Sequence, residues 1–215
     1  MDKKTANAFL KASTLENSQD TAQARGEEPP APERAYPANI KLIPLPEPEL
    51  LPDKQVNFLE LIELRSTIRT YKDANISLKD LSYLLWCTQG VKMGMPGGGT
   101  MRTVPSAGAR HAFETYLLIQ RVEGLPAGLY RFLALEHALL PVDITPEKSE
   151  ELLQSFKPKN MVQASAVTFI WTAELERMTY KFGNRAYRYL FIDAGHVCEN
   201  LYLAAQTIQM GVCAV

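Results

Sequence analysis

Leu64-Arg65-Ser66-Thr67-Ile68-Arg69-Thr70-Tyr71 follows directly on an apolar-patterned run, Phe58 to Leu64, and places two arginines four residues apart with two hydroxyl side chains between them. If the run continues as a helix, residues four apart share a face and Arg65 and Arg69 point the same way. Paired guanidiniums meet phosphate oxygens well, and Ser or Thr adds short hydrogen bonds, so the octet suits a dianionic phosphate. A solvated helix end is the competing reading, because cations near a helix C-terminus are favourable in any case.

Working outward, the 215 residues and 24.1 kDa bound the chain to one domain, or one domain with an extension. Hydrophobic residues at 46% supply a sizeable core, which excludes wholesale disorder. A formal charge of −1 and a pI near 6.3 give no support to nucleic-acid binding. Cys87, Cys198 and Cys213 lie far apart, and neither they nor His111, His137 and His196 have metal-ligand spacing, so no metal is expected. The N-terminus lacks a signal-peptide core and no run approaches a membrane span, so a soluble, cytoplasmic protein is expected, with no membrane or nucleic-acid partner.

Residues 1–56 are expected to form a proline-rich extension or arm. Glu28-Pro29-Pro30-Ala31-Pro32 and Leu42-Ile43-Pro44-Leu45-Pro46-Glu47-Pro48 argue for extended chain without regular structure. Ile40, Leu42, Ile43 and Leu45 favour an ordered arm, laid over a partner, over a floppy tail. Residues 57–215 form the main domain. Ser77 and Asp80 start a helix whose face carries Leu78, Leu81, Leu84 and Leu85, with Gly90 as the stop. Trp86 is a core residue in this reading. Gly94 to Thr100 reads as a flexible loop; it lacks the nucleotide-loop pattern, and no Rossmann fingerprint exists.

Arg102 to His111 is a small-residue segment, Pro105-Ser106-Ala107-Gly108 included, through which backbone could approach a flat ligand. Phe113 to Gln120, Leu129 to Phe132 and Ala138 to Val142 read as an antiparallel meander. Thr145 caps a helix to about Phe156, which Pro158 ends, and Ala166 to Thr172 reads as a buried strand. A long helix is expected from Asn184 to Gln209, with Ala186, Leu190, Asp193, Val197, Leu201, Ala204 and Ala205 at helical spacing; His196 and Asn200, four apart on it, read as satisfied core or interface polars. Gly211 to Val215 begins a strand.

Four segments in order resemble the FMN-dependent nitroreductase family and, within it, the SagB-type dehydrogenase branch. They are Arg65 to Tyr71, Pro105 to Ala109, Gly128-Leu129-Tyr130-Arg131-Phe132, and Asp193 to Ala205; Ala8-Phe9-Leu10-Lys11 and Leu42 to Pro46 also look like that branch. The resemblance implies a three-layer α+β fold, an intertwined homodimer and FMN at each subunit interface. By position, Arg65 would bind the FMN phosphate, and Ser66 or Thr67 phosphate or ribityl oxygens. Arg69 would approach the ring near N1 and O2, where a cation stabilises the reduced flavin. Pro105, Ser106, Ala107 and Gly108 would line the flavin from the other subunit, with Arg102 assisting the phosphate. Gly211, Val212 and Cys213 would bring backbone amides toward the ring.

The chain departs from the family pattern at Ser66, where a second arginine is usual, and at Thr67, where serine is usual. Family chains also continue past the equivalent of Val215, so either the sequence is truncated or the site is shortened. The implied activity is hydride transfer through flavin N5 on a small-molecule or modified-peptide substrate, in the SagB branch the oxidation of azoline rings to azoles. A generic NAD(P)H-dependent nitro or quinone reductase is one alternative, and a dimeric flavin-binding scaffold without turnover is another. No catalytic acid or base stands out; Tyr180, Tyr187, Arg185 and Arg188 could reach a site but read equally as packing and solvated residues.

Overall fold

The computed structural model describes residues 2–48, 57–157 and 159–215. The expected boundary at 56/57 and the helix stop at Pro158 lie at or outside the edges of these segments. The secondary structure comprises α1 (Lys3–Ala12), β1 (Ile43–Pro44), α2 (Phe58–Leu64), α3 (Leu78–Gln89), β2 (Val91–Gly94) and β3 (Thr100–Arg102). It continues with β4 (Phe113–Ile119), β5 (Gly128–Leu133), β6 (Ala138–Asp143), α4 (Pro146–Ser155), α5 (Lys159–Ala164), β7 (Val167–Ala173), α6 (Leu175–Phe182) and α7 (Ala186–Thr207).

The main sheet is antiparallel throughout, in the order β1-β6-β5-β4-β7, and helices cover both faces. Alternation along β4 sorts its side chains. Leu117 and Ile119 join Leu81 and Leu85 of α3, with Tyr130, Phe132 and Leu139, in one buried cluster. Leu118 faces the opposite way, onto Leu153 of α4 and Val162 of α5. Behind α3 lies α7, joined to it through Leu84, Leu201, Ala204 and Ala205. The α+β architecture and the meander are as the pattern predicts.

The start of α3 is as expected: the Ser77 side chain accepts the Asp80 amide at 3.0 Å. Its end has a different cause from a left-handed glycine cap. Gly90 has φ −55°, and a Cβ there would lie 2.5 Å from the Trp86 ring, so the helix turns off where only glycine clears that indole. The segment expected as a flexible loop is the tip of a β2–β3 hairpin, with Met95 N–H donating to Gly99 O at 2.8 Å and Gly97 and Gly98 at φ near +80°. The expected buried strand is β7, whose residues are half-buried because it is the last strand in the sheet order.

The described part of the N-terminal extension, residues 2–48, is ordered and laid over its own chain. Contrary to the expectation of a segment without helix, α1 forms, capped by Asp2 through the Thr5 amide at 2.7 Å. Arg188 of α7 then donates to Leu10 O at 2.7 Å and to Ser13 Oγ at 2.7 Å, closing the helix end. Further along, three arginines clamp the backbone of the arm. Arg177 donates to Ala31 O at 2.8 Å, Arg102 to Pro32 O at 3.2 Å and Arg131 to Arg34 O at 2.7 Å. Glu114 accepts the Arg34 amide at 2.9 Å and forms a buried ion pair with Arg177. Leu45 is buried in the main core beside β1.

Candidate functional site

Asn57 caps α2 by accepting the Leu59 amide at 3.0 Å, and the helix ends at Leu64, not beyond it. Arg65 is the C-cap, with φ −56° and ψ 121°. From there the octet is extended, so the helical-face argument for Arg65 and Arg69 is corrected. The β-branched Thr67, Ile68 and Thr70 favour that conformation, and a partner fixes it: Thr67 bridges Val212 in parallel, with Ile68 N–H donating to Val212 O at 3.0 Å. With the helix ended at Leu64 and the chain turned off at Arg65, Arg69 no longer shares a helical face with Arg65.

The structure therefore brings together two of the three predicted groups, Arg65–Arg69 and Gly211–Cys213. Gly211 makes the approach possible: a Cβ there would lie 2.6 Å from Ile68 Cβ. Tyr202 of α7 ties both together. Its hydroxyl accepts the Ala214 amide at 2.9 Å, lies 3.4 Å from Thr67 Oγ1, and its ring lies under the Arg65 guanidinium at 5.7 Å. Sequence reading included Tyr202 in a matching segment without assigning it a role; a helical tyrosine at core spacing carries no local sign of such contacts. Nearby, burial first, then Cys213 and Tyr202, raise the Tyr71 pKa, partly opposed by Arg69.

The side chains of Arg65, Ser66 and Arg69 form no hydrogen bond or ion pair among the described residues, and Ser66 and Arg69 are exposed. The Pro105–Gly108 segment is at another level of α7. Asp193, 2% exposed, accepts the Ser106 hydroxyl at 2.6 Å and the Ala107 amide at 3.1 Å, while Ser106 Oγ accepts the His111 amide at 2.9 Å. Gly108 has φ +58°, and a Cβ would meet Lys181 and Phe182 below 3.0 Å. Asp193 and Tyr202 are nine residues apart on α7, about 13–14 Å along its axis. One chain thus presents the two halves of the predicted site apart, with Pro105 and Gly108 exposed and the Ser106 hydroxyl engaged internally.

A cleft of about 870 Å³ runs between β7 and the Gly211–Val215 segment. Ile68, Thr70 and Tyr71 line it with an apolar floor of Leu84, Phe169 and Trp171, but Arg65 and Pro105–Gly108 do not. Arg102 is corrected as a phosphate ligand. It is 7% exposed, and its donors are engaged by Thr100, Gln89 and Pro32. Tyr180, Arg185 and Arg188 likewise serve the N-terminal segment, through Glu27 O, Ser13 O and Leu10 O. Asn200 donates to Cys87 O at 2.9 Å, as a satisfied core polar does. No helix among the described residues is long and apolar enough to cross a membrane.

Comparison with known proteins bears on the family and the fold. A nitroreductase-like protein of Methanocaldococcus jannaschii is 28% identical over 166 residues, 77% of this chain and 81% of that protein. The trifolitoxin-processing protein TfxB of Rhizobium leguminosarum bv. trifolii is 31% identical over 132 residues, 60% of this chain but only 35% of TfxB. Among solved structures, a nitroreductase-like protein of Ralstonia eutropha JMP134 superposes with a TM-score of 0.63 at 25% identity, covering 86% of this chain and 80% of that one. The fold also matches a chain of the Escherichia coli microcin synthetase McbBCD complex with truncated pro-MccB17 bound, with a TM-score of 0.51 at 20% identity, covering 97% of this chain and 81% of that one. The nitroreductase family model matches residues 62–215, which take in the octet, the Ser106–Asp193 contact and the Gly211 bridge, and the chain belongs to the nitroreductase family.

Proposed function

We propose that this protein is an FMN-dependent oxidoreductase of the SagB-type dehydrogenase kind, with its flavin held between two copies of the chain. The observation that carries the reading is that the side chains of Arg65, Ser66 and Arg69 have no hydrogen-bond or ion-pair partner among the described residues and lie beside the Gly211–Cys213 backbone, the Arg65 guanidinium resting over the Tyr202 ring. Two guanidiniums and a hydroxyl with N–H and O–H donors to spare are the donor set that a phosphomonoester and an electron-rich ring edge require, so the residues fit the cofactor. Arg65 with Ser66 and Thr67 would hold the phosphate. Arg69, further along the extended chain, would lie toward the ring and favour negative charge there. When bound, FMN would supply hydride exchange at N5 with donor and acceptor.

The same reading calls for a pair of chains. Pro105–Gly108 of one copy would complete the site of its partner, because within one chain that segment is too far along α7. An exposed apolar surface is available for this: Phe191 is 77% exposed, Ile192 52%, and Gly195, one turn on, has no atom near its absent Cβ. Phe58, Leu59 and Ile62 of α2 are exposed as well.

The similarity to TfxB favours a modified peptide as substrate. The longer match to the nitroreductase-like protein of M. jannaschii favours the second reading, NAD(P)H-dependent reduction of a small nitro compound or quinone. Anaerobic flavin bleaching separates them: an azoline-bearing peptide reduces the flavin in the first case, and NAD(P)H in the second. Before that, Arg65→Ala and Arg69→Ala should each weaken FMN binding by about ten- to a hundredfold, or roughly 1.5–3 kcal/mol for a charge-assisted contact. A colourless protein that leaves added FMN unchanged would overturn both readings.

A further inference from the structure

The β2–β3 hairpin has one face that neither the core nor the proposed flavin site uses. Thr100 and Arg102 are buried, so that side of the hairpin faces inward. On the other side, Met93 is the cross-strand partner of Met101, and both are exposed. Met95 follows Met93 by two residues and pairs with Gly99 through its amide at 2.8 Å, which returns it to the same face. Its side chain lies over Gly99: a Cβ there would meet Met95 Cε at 3.4 Å. The outward face therefore carries three thioethers on adjacent positions, about 5 Å apart at Cβ for the direct pair. No aromatic or branched aliphatic side chain accompanies them between Met93 and Met101.

We propose that this face is a binding site for a soft monovalent cation, Cu(I) or Ag(I), held by the sulfurs of Met93, Met95 and Met101. Thioethers are uncharged, polarisable ligands that select Cu(I) over the harder divalent ions. The missing side chain of Gly99 lets the Met95 side chain lie across the hairpin, toward the strand that carries Met101. No group of three or more His, Cys, Asp or Glu residues able to hold a metal occurs among the described residues, so this set is chemically distinct from the harder sites. The site stands apart from the flavin reading and does not depend on it.

The test uses the purified full chain, with whatever flavin it retains, labelled with 13C at the methionine methyls. Ag(I) is titrated in chloride-free buffer, and Cu(I) anaerobically against a chromogenic chelator. Of seven methionines, the methyl signals of Met93, Met95 and Met101 should move together and saturate at one equivalent. The triple variant Met93→Leu, Met95→Leu, Met101→Leu should bind at least about tenfold more weakly, the scale seen when a metal site loses ligand support. Because leucine keeps the face apolar at similar volume, folding should be unchanged. Equal Ag(I) affinity in parent and triple variant, or signals that do not move, would overturn the proposal. Loss of binding only on substituting Cys87, Cys198 and Cys213 would overturn it too, by assigning the ion to thiols.

Discussion

Gly211→Ala should loosen the candidate site without unfolding the domain. The added Cβ would lie 2.6 Å from Ile68 Cβ, 2.8 Å from Cγ2 and 2.9 Å from Cγ1. The nearest atom is the branch point of a stiff side chain, so rotation of Ile68 cannot relieve the contact. Restoring an ordinary separation requires the two segments to part by about 1 Å, which stretches the 3.0 Å bond from Ile68 N–H to Val212 O past useful length. Overpacking costs about 1–3 kcal/mol and the lost hydrogen bond about 0.5–1.5 kcal/mol. A total of about 1.5–4.5 kcal/mol corresponds to a melting-temperature drop of roughly 3–18 °C for a chain of this size.

The assay is thermal melting beside FMN titration of the parent, Gly211→Ala, Ile68→Gly and the double variant. Moving the small residue from one segment to the other should restore the approach, so the double variant should melt higher than the two single effects sum to. An unchanged melting temperature for Gly211→Ala, or strictly additive effects, would refute the reasoning. FMN affinity should fall with the bridge, because the Arg65–Thr67 backbone is positioned through it.

Three further outcomes follow. Arg177→Met leaves Glu114 buried without its cation and removes the clamp on Ala31; stability by urea titration should fall by about 3–5 kcal/mol, and a loss under about 1 kcal/mol would contradict the role given to this pair. Glu33 of the arm has its pKa raised to about 7 by burial first and then by Glu136. A carboxyl with a raised folded pKa loses stability as pH rises from its ordinary value of 4.5 to about 7. Glu136→Gln should therefore match the parent's melting temperature near pH 4.5 and exceed it above pH 7, whereas a difference independent of pH would count against the pairing. Phe191→Asp should give a monomer in sedimentation velocity and lose flavin with it; a dimer of unchanged affinity would remove α7 from the proposed interface.

Elements with a complete local code were legible. Ser77 and Asp80 announce α3, alternating side chains and a Gly-Leu-Pro-Ala-Gly turn announce β4 and β5, and the apolar spacing from Ala186 onward announces α7. The β2–β3 hairpin was missed because Gly97 and Gly98 permit a turn without demanding one, and only pairing of the flanking strands selects it. Helix α1 was missed because it has no buried residue of its own, and its end is held by Arg188 from α7. Arg102 looked like a phosphate ligand because an arginine beside small residues carries no mark of burial; its partners Gln89 and Pro32 come from other segments.

For the candidate site, the sequence alone determined which groups are on offer: two arginines with two hydroxyls between them, a small-residue loop ending in Gly108, and a glycine at 211. These are local properties of side-chain type and spacing. The tertiary structure decided their geometry. Arg-Ser-Thr-Ile-Arg is compatible with helix or extended chain, and the contact that chooses between them, Thr67 with Val212, joins the middle of the chain to its last residues. That choice takes Arg69 off the helical face it would otherwise share with Arg65. Asp193 likewise holds the Ser106 loop at a different level of α7 from Tyr202. Such long-range contacts add over the whole fold, which is why they override the weak local preferences of polar residues.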